Sequence, residues 1–190
     1  MPIVLTSCGV INEDFKEKFF ALFSKPVEDL RMLYITTAAD GESGDKSWVG
    51  EEYQRILALG FRPENIIEYK IGASLDNLND YDLIYVLGGN TFYLMKMIHE
   101  SGFETQLREA IDRGIVYVGS SAGSVIMGTT LEPAAVYGDE LIEGVDSKGL
   151  GFVDAAVIPH MNQKSDVYED WMQTWNGKTF ILYDGDGMII

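Results

Sequence analysis

The residues best suited to chemistry lie in segment 115–124, which reads IVYVGSSAGS. An apolar, β-branched run leads into Gly119-Ser120-Ser121-Ala122-Gly123, and an apolar stretch that can form a short helix follows. A strand, a G-x-S-x-G turn and a helix together expose a nucleophilic serine on a sharp, strained turn. Glycines flank the turn because a side chain at either position would crowd the backbone. We therefore predict that Ser121 is a nucleophile, the alternative being a strand, turn and helix with a purely structural role.

A serine hydroxyl needs a base to remove its proton, and histidine is the usual base because it titrates near neutrality. The chain has two histidines. His99 lies late in a helical stretch beside charged residues, as expected of a solvated helix end. His160 follows the apolar run 155–158, and open α/β sheets keep their sites at the carboxyl ends of strands. We predict that His160 is the base, the alternative being a loop histidine with satisfied hydrogen bonds.

The third group of such a triad is a carboxylate that holds the imidazole in one tautomer and stabilises its charged form. Several acids lie between Ser121 and His160, so spacing alone does not choose among them. They are Glu132, Asp139, Glu140, Glu143, Asp146 and Asp154.

A second glycine turn, Gly88-Gly89-Asn90, follows the apolar run LIYVL. Backbone N–H groups freed by this turn, together with that of Ala122, are able to form an oxyanion hole for a tetrahedral intermediate. The structural alternative is a tight connection from a strand to a helix, with Asn90 as the helix cap.

Composition limits the class of protein. The chain has 190 residues, 46% of them hydrophobic, and a net charge of −16. Its length fits one domain spanning residues 1–190, and its negative charge disfavours nucleic acid and anionic membrane surfaces as partners. Cys8 is the single cysteine, so neither an internal disulfide nor a C-x-x-C zinc motif is expected. With no signal peptide or membrane span apparent, we expect a cytoplasmic protein without metal or cofactor.

Apolar runs alternate with helical periodicity over the first two thirds of the chain. The runs are 3–6, 32–36, 66–70, 83–87 and 115–118, and amphipathic helices are predicted around 15–23, 49–57 and 103–111. Strands that are apolar throughout and separated by helices predict a mostly parallel sheet covered on both faces. Near the C-terminus, runs 179–183 and 188–190 flank Asp-Gly-Asp-Gly, which predicts an antiparallel hairpin.

Three motifs in register give a more specific indication than the serine turn alone. They are GGNTF at 88–92, GSSAGS at 119–124 and IPHMN at 158–162. In this order they resemble the peptidase E type serine peptidases, which include aspartyl dipeptidase and the cyanophycinases, and the resemblance covers nearly the whole chain. It implies a three-layer α/β/α sandwich like that of the class I glutamine amidotransferases, flavodoxin-like in architecture, with serine in place of cysteine.

The resemblance also implies roles for individual residues. Ser121 matches the nucleophile and His160 the base, while Gly89 and Ala122 match the oxyanion donors, with Gly88 adjoining. The acid of the family lies about twenty residues before the histidine, which points to Asp139, with Glu140 as the alternative. Asn90 is expected to bind a terminus of the substrate.

One departure from the family concerns specificity. Relatives that cleave after an N-terminal aspartate have arginines shortly after the histidine, whereas this chain has only Lys164 there, and a lysine does not replace a planar guanidinium. We expect a small-peptide hydrolase, monomeric or homodimeric, without strict Asp-X preference. The alternatives are a carboxylesterase of the α/β-hydrolase kind and a catalytically silent binding protein on the same fold.

Overall fold

A computed structural model of the chain describes residues 2–75 and 77–190. The central sheet has six strands, which are β1 (Ile3–Thr6), β2 (Met32–Ile35), β3 (Ile66–Tyr69), β4 (Leu83–Val86), β5 (Val116–Ser120) and β8 (Gly187–Ile189). Their order across the sheet is β3-β2-β4-β5-β1-β8. The first five run parallel, and β8 pairs antiparallel with β1 at one edge. A separate sheet holds β6 (Ala156–Ile158) and β7 (Thr179–Ile181), which pair in parallel.

Helices cover both faces of the central sheet because its strands are apolar on both sides. In β1, for example, Ile3 and Leu5 belong to one buried cluster while Val4 belongs to the other, as the two-residue period of a strand requires. The helices are α1 (Glu13–Phe20), α2 (Ser47–Ala58), α3 (Thr91–Ser101), α4 (Phe103–Asp112), α5 (Ala122–Val125), α6 (Glu132–Tyr137) and α7 (Ser165–Thr174). Residues of α1 and α2 pack on the face of Val4, and residues of α3, α4 and α5 on the opposite face.

The α/β class and the mostly parallel sheet between two helical layers confirm the prediction from the apolar runs. The predicted C-terminal hairpin is wrong in its pairing. The strands on either side of Asp184-Gly185-Asp186 do not pair with each other, because β7 joins β6 whereas β8, which begins at Gly187, joins β1. The turn therefore connects two sheets, and the antiparallel edge lies between β8 and β1.

Within the described residues, none of the helices has both the length and the apolar character needed to cross a membrane.

Candidate active site

Residues that follow five strands meet at one site, and those that follow four of the strands line a cleft, as expected at the carboxyl ends of parallel strands. Ser7 and Cys8 follow β1, Gly88 and Gly89 follow β4, Ser121 follows β5, His160 follows β6 and Asp184 follows β7. The cleft has a volume of about 340 Å³, which is enough for a short peptide segment.

Ser121 lies on a strained turn between β5 and α5. Its backbone has a φ of 49°, a left-handed conformation that costs energy in a residue with a side chain. The flanking positions must be glycine because neighbouring backbone atoms leave no room for a Cβ. A Cβ on Gly119 would lie 2.5 Å from the carbonyl carbon of Gly123, and one on Gly123 would lie 2.2 Å from the Val86 oxygen. The sequence therefore folds into the expected strand, turn and helix, with the serine hydroxyl exposed to the cleft.

His160 lies directly against this serine. Its Nε2 atom is 2.9 Å from Ser121 Oγ, and the ring of Tyr137 lies 5.3 Å away, centroid to centroid. His160 also has a positive φ, 57°. Among the described residues other than glycine, only Ser121 and His160 have a positive φ, and their side chains contact each other. Backbone strain of this kind clusters at functional sites.

Asp184 binds the other nitrogen of the imidazole. Its Oδ1 atom lies 2.6 Å from His160 Nδ1. Burial alone would raise the pKa of Asp184, but hydrogen bonds from Cys8, Gln163, Ser7 and His160 together hold it well below its usual range. The carboxylate is therefore ionised and only accepts hydrogen bonds, so Nδ1 carries the proton and Nε2 is left as an acceptor for the serine hydroxyl.

Ser7 connects the base and the carboxylate to the central sheet. Its buried hydroxyl donates to Asp184 Oδ1 at 2.8 Å and accepts the backbone N–H of His160 at 2.8 Å. The same oxygen lies 3.2 Å from His160 Nδ1. One side chain at the end of β1 thus fixes both the strained backbone of the histidine and the carboxylate beside its ring.

Asp139, the acid favoured from the resemblance, has a different partner. Its Oδ2 atom accepts the Thr91 backbone N–H at 2.7 Å, and no hydrogen bond joins it to His160 among the residues that the structure describes. Burial is the main cause of its raised pKa. The alternative, Glu140, contributes its backbone oxygen to Asn90 Nδ2. Asp139 therefore lies in the cleft wall, and the carboxylate that contacts the His160 imidazole is that of Asp184.

The glycine turn after β4 lies beside the serine. A Cβ on Gly88 would be 3.0 Å from that of Ser121, and Gly89 has a φ of 126° with Ala38 packed where a Cβ would stand. The amides of Gly89 and Ala122 form no backbone hydrogen bonds with other described residues. They are thus free for a ligand next to Ser121.

Asn90 is occupied by the protein itself. Its Oδ1 atom accepts the Tyr93 backbone N–H at 2.7 Å, which caps α3, and its Nδ2 donates to Glu140. Its side chain is buried. The structure thus shows Asn90 as the helix cap that the sequence offered as an alternative.

Cys8 lies against the same carboxylate as Ser7. Its thiol donates to Asp184 Oδ1 at 2.9 Å, and Sγ is 3.8 Å from His160 Nδ1. Burial, followed by the hydrogen bond to Asp184 and the charge of that residue, raises the pKa of Cys8 to about 12. The thiol is therefore protonated and a poor nucleophile at neutral pH.

The rest of the cleft is rich in acids. Glu42 and Asp139 line it, and burial followed by the charge of Asp139 raises the pKa of Glu42. Arg55 also lines it, but its guanidinium contacts the carboxylates of Glu51 and Glu52. Lys164, the basic residue that follows His160, donates to the Tyr137 backbone oxygen. Among the described residues, no arginine near His160 therefore has an unpaired guanidinium with which to bind a substrate carboxylate.

Asp184, Ser7 and Cys8 were not among the candidates drawn from the sequence. The family resemblance points to an acid before His160, and Asp-Gly-Asp-Gly between two apolar runs predicts a hairpin turn at Asp184. The sequence does contain an indication of the role of Asp184, because this residue follows an apolar run as His160 does. Residues that follow parallel strands meet at one edge of the sheet. Ser7 and Cys8 follow the first strand in the same way.

Comparisons with known proteins show the family to which the chain is similar. The family model described as Peptidase family S51 matches residues 3–189. The uncharacterized peptidase Lin0382 of Listeria innocua is 35% identical over 169 residues, covering 80% of this chain and 75% of its own. A protein named peptidase E from Nostoc is 29% identical over 90 residues, 47% of this chain and 36% of its own.

The same fold occurs in a solved structure. A crystal structure of a candidate peptidase E protein from Listeria monocytogenes EGD-e superimposes with a TM-score of 0.81 at 23% identity. The alignment covers 100% of this chain and 93% of that one. At this identity the likeness establishes the shared fold.

Proposed function

The chain belongs to peptidase family S51 and is a serine-type peptidase, and on that premise we propose that it hydrolyses short peptides through an acyl-enzyme formed on Ser121. The observation that carries this proposal is one continuous hydrogen-bonded chain. Ser121 Oγ lies 2.9 Å from His160 Nε2, and His160 Nδ1 lies 2.6 Å from Asp184 Oδ1. These are the contacts by which a triad removes a hydroxyl proton and stabilises the resulting imidazolium.

In the acylation step, Ser121 Oγ attacks the carbonyl carbon of the scissile bond while its proton passes to His160 Nε2. The amine then leaves with that proton, and an ester remains on Ser121. Water repeats the sequence with the same base and releases the carboxylic acid. Asp184 keeps the proton on Nδ1 throughout, so that Nε2 always faces the reacting oxygen.

The developing negative charge on the substrate oxygen needs donors that are already in position. The unbonded amides of Gly89 and Ala122 fit this role, since each lies on a turn that contacts or adjoins Ser121. Removing one such donor typically costs about 10²–10³ in kcat. Gly88 contributes by leaving room for the nucleophile.

We further propose that Asp184 takes the role that the resemblance suggested for Asp139. Asp184 is ionised and contacts the imidazole, whereas the Asp139 carboxylate is held by Thr91. Asp139 then acts as part of the substrate-binding wall. Together with Glu42 it makes this wall acidic, which supports a substrate other than a peptide with an N-terminal aspartate.

The test is a Ser121→Ala variant assayed against a dipeptide library with acidic, neutral and basic N-terminal residues. We expect the variant to fold and to lose turnover by roughly 10⁴–10⁶-fold. A fluorophosphonate should label the wild type and a Ser120→Ala control, but not Ser121→Ala. Full activity or labelling in Ser121→Ala would overturn the proposal.

The same assay distinguishes the other functions. Hydrolysis of p-nitrophenyl esters without any dipeptide cleavage would favour an esterase, against which family membership argues. A strong preference for N-terminal aspartate would show that Lys164 or Arg55 serves where the relatives use arginine.

A further inference from the structure

Three side chains that are remote in sequence place ligand atoms of three chemical kinds around one point. They are Cys8 Sγ, His160 Nδ1 and Asp184 Oδ1, which lie within 4.8 Å of one another. The sequence offers no metal-binding motif here, because the cysteine and the two other residues come from the ends of three different strands. The fold alone brings them together.

We propose that Cys8, His160 and Asp184 form a binding site for a thiophilic divalent cation such as Zn²⁺, and that the bound ion blocks the peptidase. The binding part stands on geometry alone, whereas the blocking part rests on the function proposed above. Zn²⁺ binds cysteine, histidine and aspartate in both structural and catalytic sites.

The separations fit a single ion. Sγ lies 2.9 Å from Oδ1 and 3.8 Å from Nδ1, and Nδ1 lies 2.6 Å from Oδ1. A point about 1.9 Å from all three atoms exists in their plane, so an ion about 1 Å outside that plane reaches the ~2.0–2.3 Å lengths of Zn–O, Zn–N and Zn–S bonds. In three-ligand protein sites a water typically supplies the fourth ligand of zinc.

Charge and access favour a cation. Cys8 and His160 line the cleft, which also holds the acidic side chains of Glu42 and Asp139. The chain as a whole carries a net charge of −16, which raises the local concentration of cations. A thiol ligand selects soft ions such as Zn²⁺ and Cd²⁺ over Mg²⁺ and Ca²⁺, which prefer oxygen.

Binding moves protons in a way that stops catalysis. Bonds form from the metal to Sγ, Nδ1 and Oδ1, and the thiol proton leaves to water. The ring proton moves from Nδ1 to Nε2, where it points at Ser121 Oγ. His160 then has no lone pair with which to remove the serine proton, so the base is lost although its position is unchanged.

Cobalt absorbance tests binding directly. Co²⁺ added to the purified protein should produce a thiolate-to-cobalt charge-transfer band, and Zn²⁺ should abolish it by displacement. Cys8 is the single cysteine of the chain, so Cys8→Ser must remove the band. The band should persist in Ser121→Ala, because Ser121 is not a ligand, and in His99→Asn, which removes the other histidine.

Inhibition is measured on a cleaved peptide in a buffer without chelating groups. Zn²⁺ should inhibit the wild type and His99→Asn equally and EDTA should restore activity, whereas Mg²⁺ should have no effect. In Cys8→Ser the half-inhibitory Zn²⁺ concentration should rise at least about tenfold.

Absence of a cobalt–thiolate band in the folded wild type would overturn the proposal, as would Zn²⁺ inhibition unchanged in Cys8→Ser. If Cys8→Ser proves inactive, the absorbance measurement still decides. A band present in a protein whose Ser121→Ala variant keeps full activity would instead refute the proposed function and leave the metal site standing.

Discussion

Asp184 Oδ1 lies 2.6 Å from His160 Nδ1, although 24 residues separate the two in the chain. The parallel pairing of β6 with β7 makes this contact possible. Ile158 is aligned with Ile181, so the residues that follow the two strands leave the sheet at the same edge. Short loops then carry the imidazole and the carboxylate toward each other.

This contact predicts which acid supports catalysis. Asp184→Asn should lower kcat by roughly 10⁴-fold, because an amide at this position favours the wrong imidazole tautomer. Asp139→Asn and Glu140→Gln should each change kcat far less, with any effect of Asp139→Asn appearing in KM. Steady-state kinetics of the three purified variants decide the matter. Collapse of kcat in Asp139→Asn alone would return the role to the acid first suggested by the family resemblance.

Ser7 should matter for both catalysis and folding. Ser7→Ala removes the acceptor for the His160 backbone N–H and one donor to Asp184, and a buried N–H without a partner costs about 1–3 kcal/mol. We expect that loss in the free energy of unfolding, measured in urea, and a fall in kcat of about 10–100-fold, the usual cost of losing a group that orients a functional histidine. KM should change little. An unaltered kcat would show that the loops hold the histidine without Ser7.

Acid should weaken the fold partly through Asp184. Its pKa in the folded state lies below the value of about 3.9 in an unfolded chain. The ionised carboxylate therefore stabilises the fold above roughly pH 4, and this contribution is lost as the pH falls toward the lower folded-state pKa. The Tm of the wild type should exceed that of Asp184→Asn at pH 7, and the difference should narrow below about pH 4. A constant difference across that range would contradict the assignment.

The turn that carries Ser121 should not tolerate a methyl group on its inner side. Gly123→Ala would place a carbon 2.2 Å from the Val86 backbone oxygen, and overpacking of this kind costs at least roughly 1–3 kcal/mol. Gly50→Ala is the matched control, since that position lies in α2 with open space around it and alanine there should stabilise by about 0.5–1 kcal/mol. Thermal unfolding of both variants provides the comparison. Equal stability would show that the turn relaxes.

The sequence predicts the parts of this molecule that depend on local pattern. The apolar runs of β1 to β5, the G-x-S-x-G turn at Ser121 and the histidine after the strand that ends at Ile158 all carry their signal within a few residues. Each is predictable because β-branched composition, glycine spacing or position after a strand indicates it locally.

The features that the sequence does not predict depend on which strands pair. Asp-Gly-Asp-Gly between two apolar runs favours a hairpin when only local propensity is considered. Instead β8 pairs with the side of β1 that faces away from β5, and β7 pairs with β6. The pairing of strands depends on burial across the whole domain, so local sequence predicts a turn residue at Asp184 and does not predict its contact with His160.

The division of these side chains between two sheets has a consequence for how the site can vary. His160 and Asp184 both follow strands of the small sheet, while Ser121 follows a strand of the large one. A small rotation of one sheet against the other would change the distance from nucleophile to base and leave the distance from base to carboxylate nearly constant. The Ser7 hydrogen bonds, which hold His160 and Asp184 to the large sheet, oppose such a rotation. Substitutions in the packing between the sheets offer a way to adjust how readily the serine is activated without disturbing the hydrogen bond between His160 and Asp184.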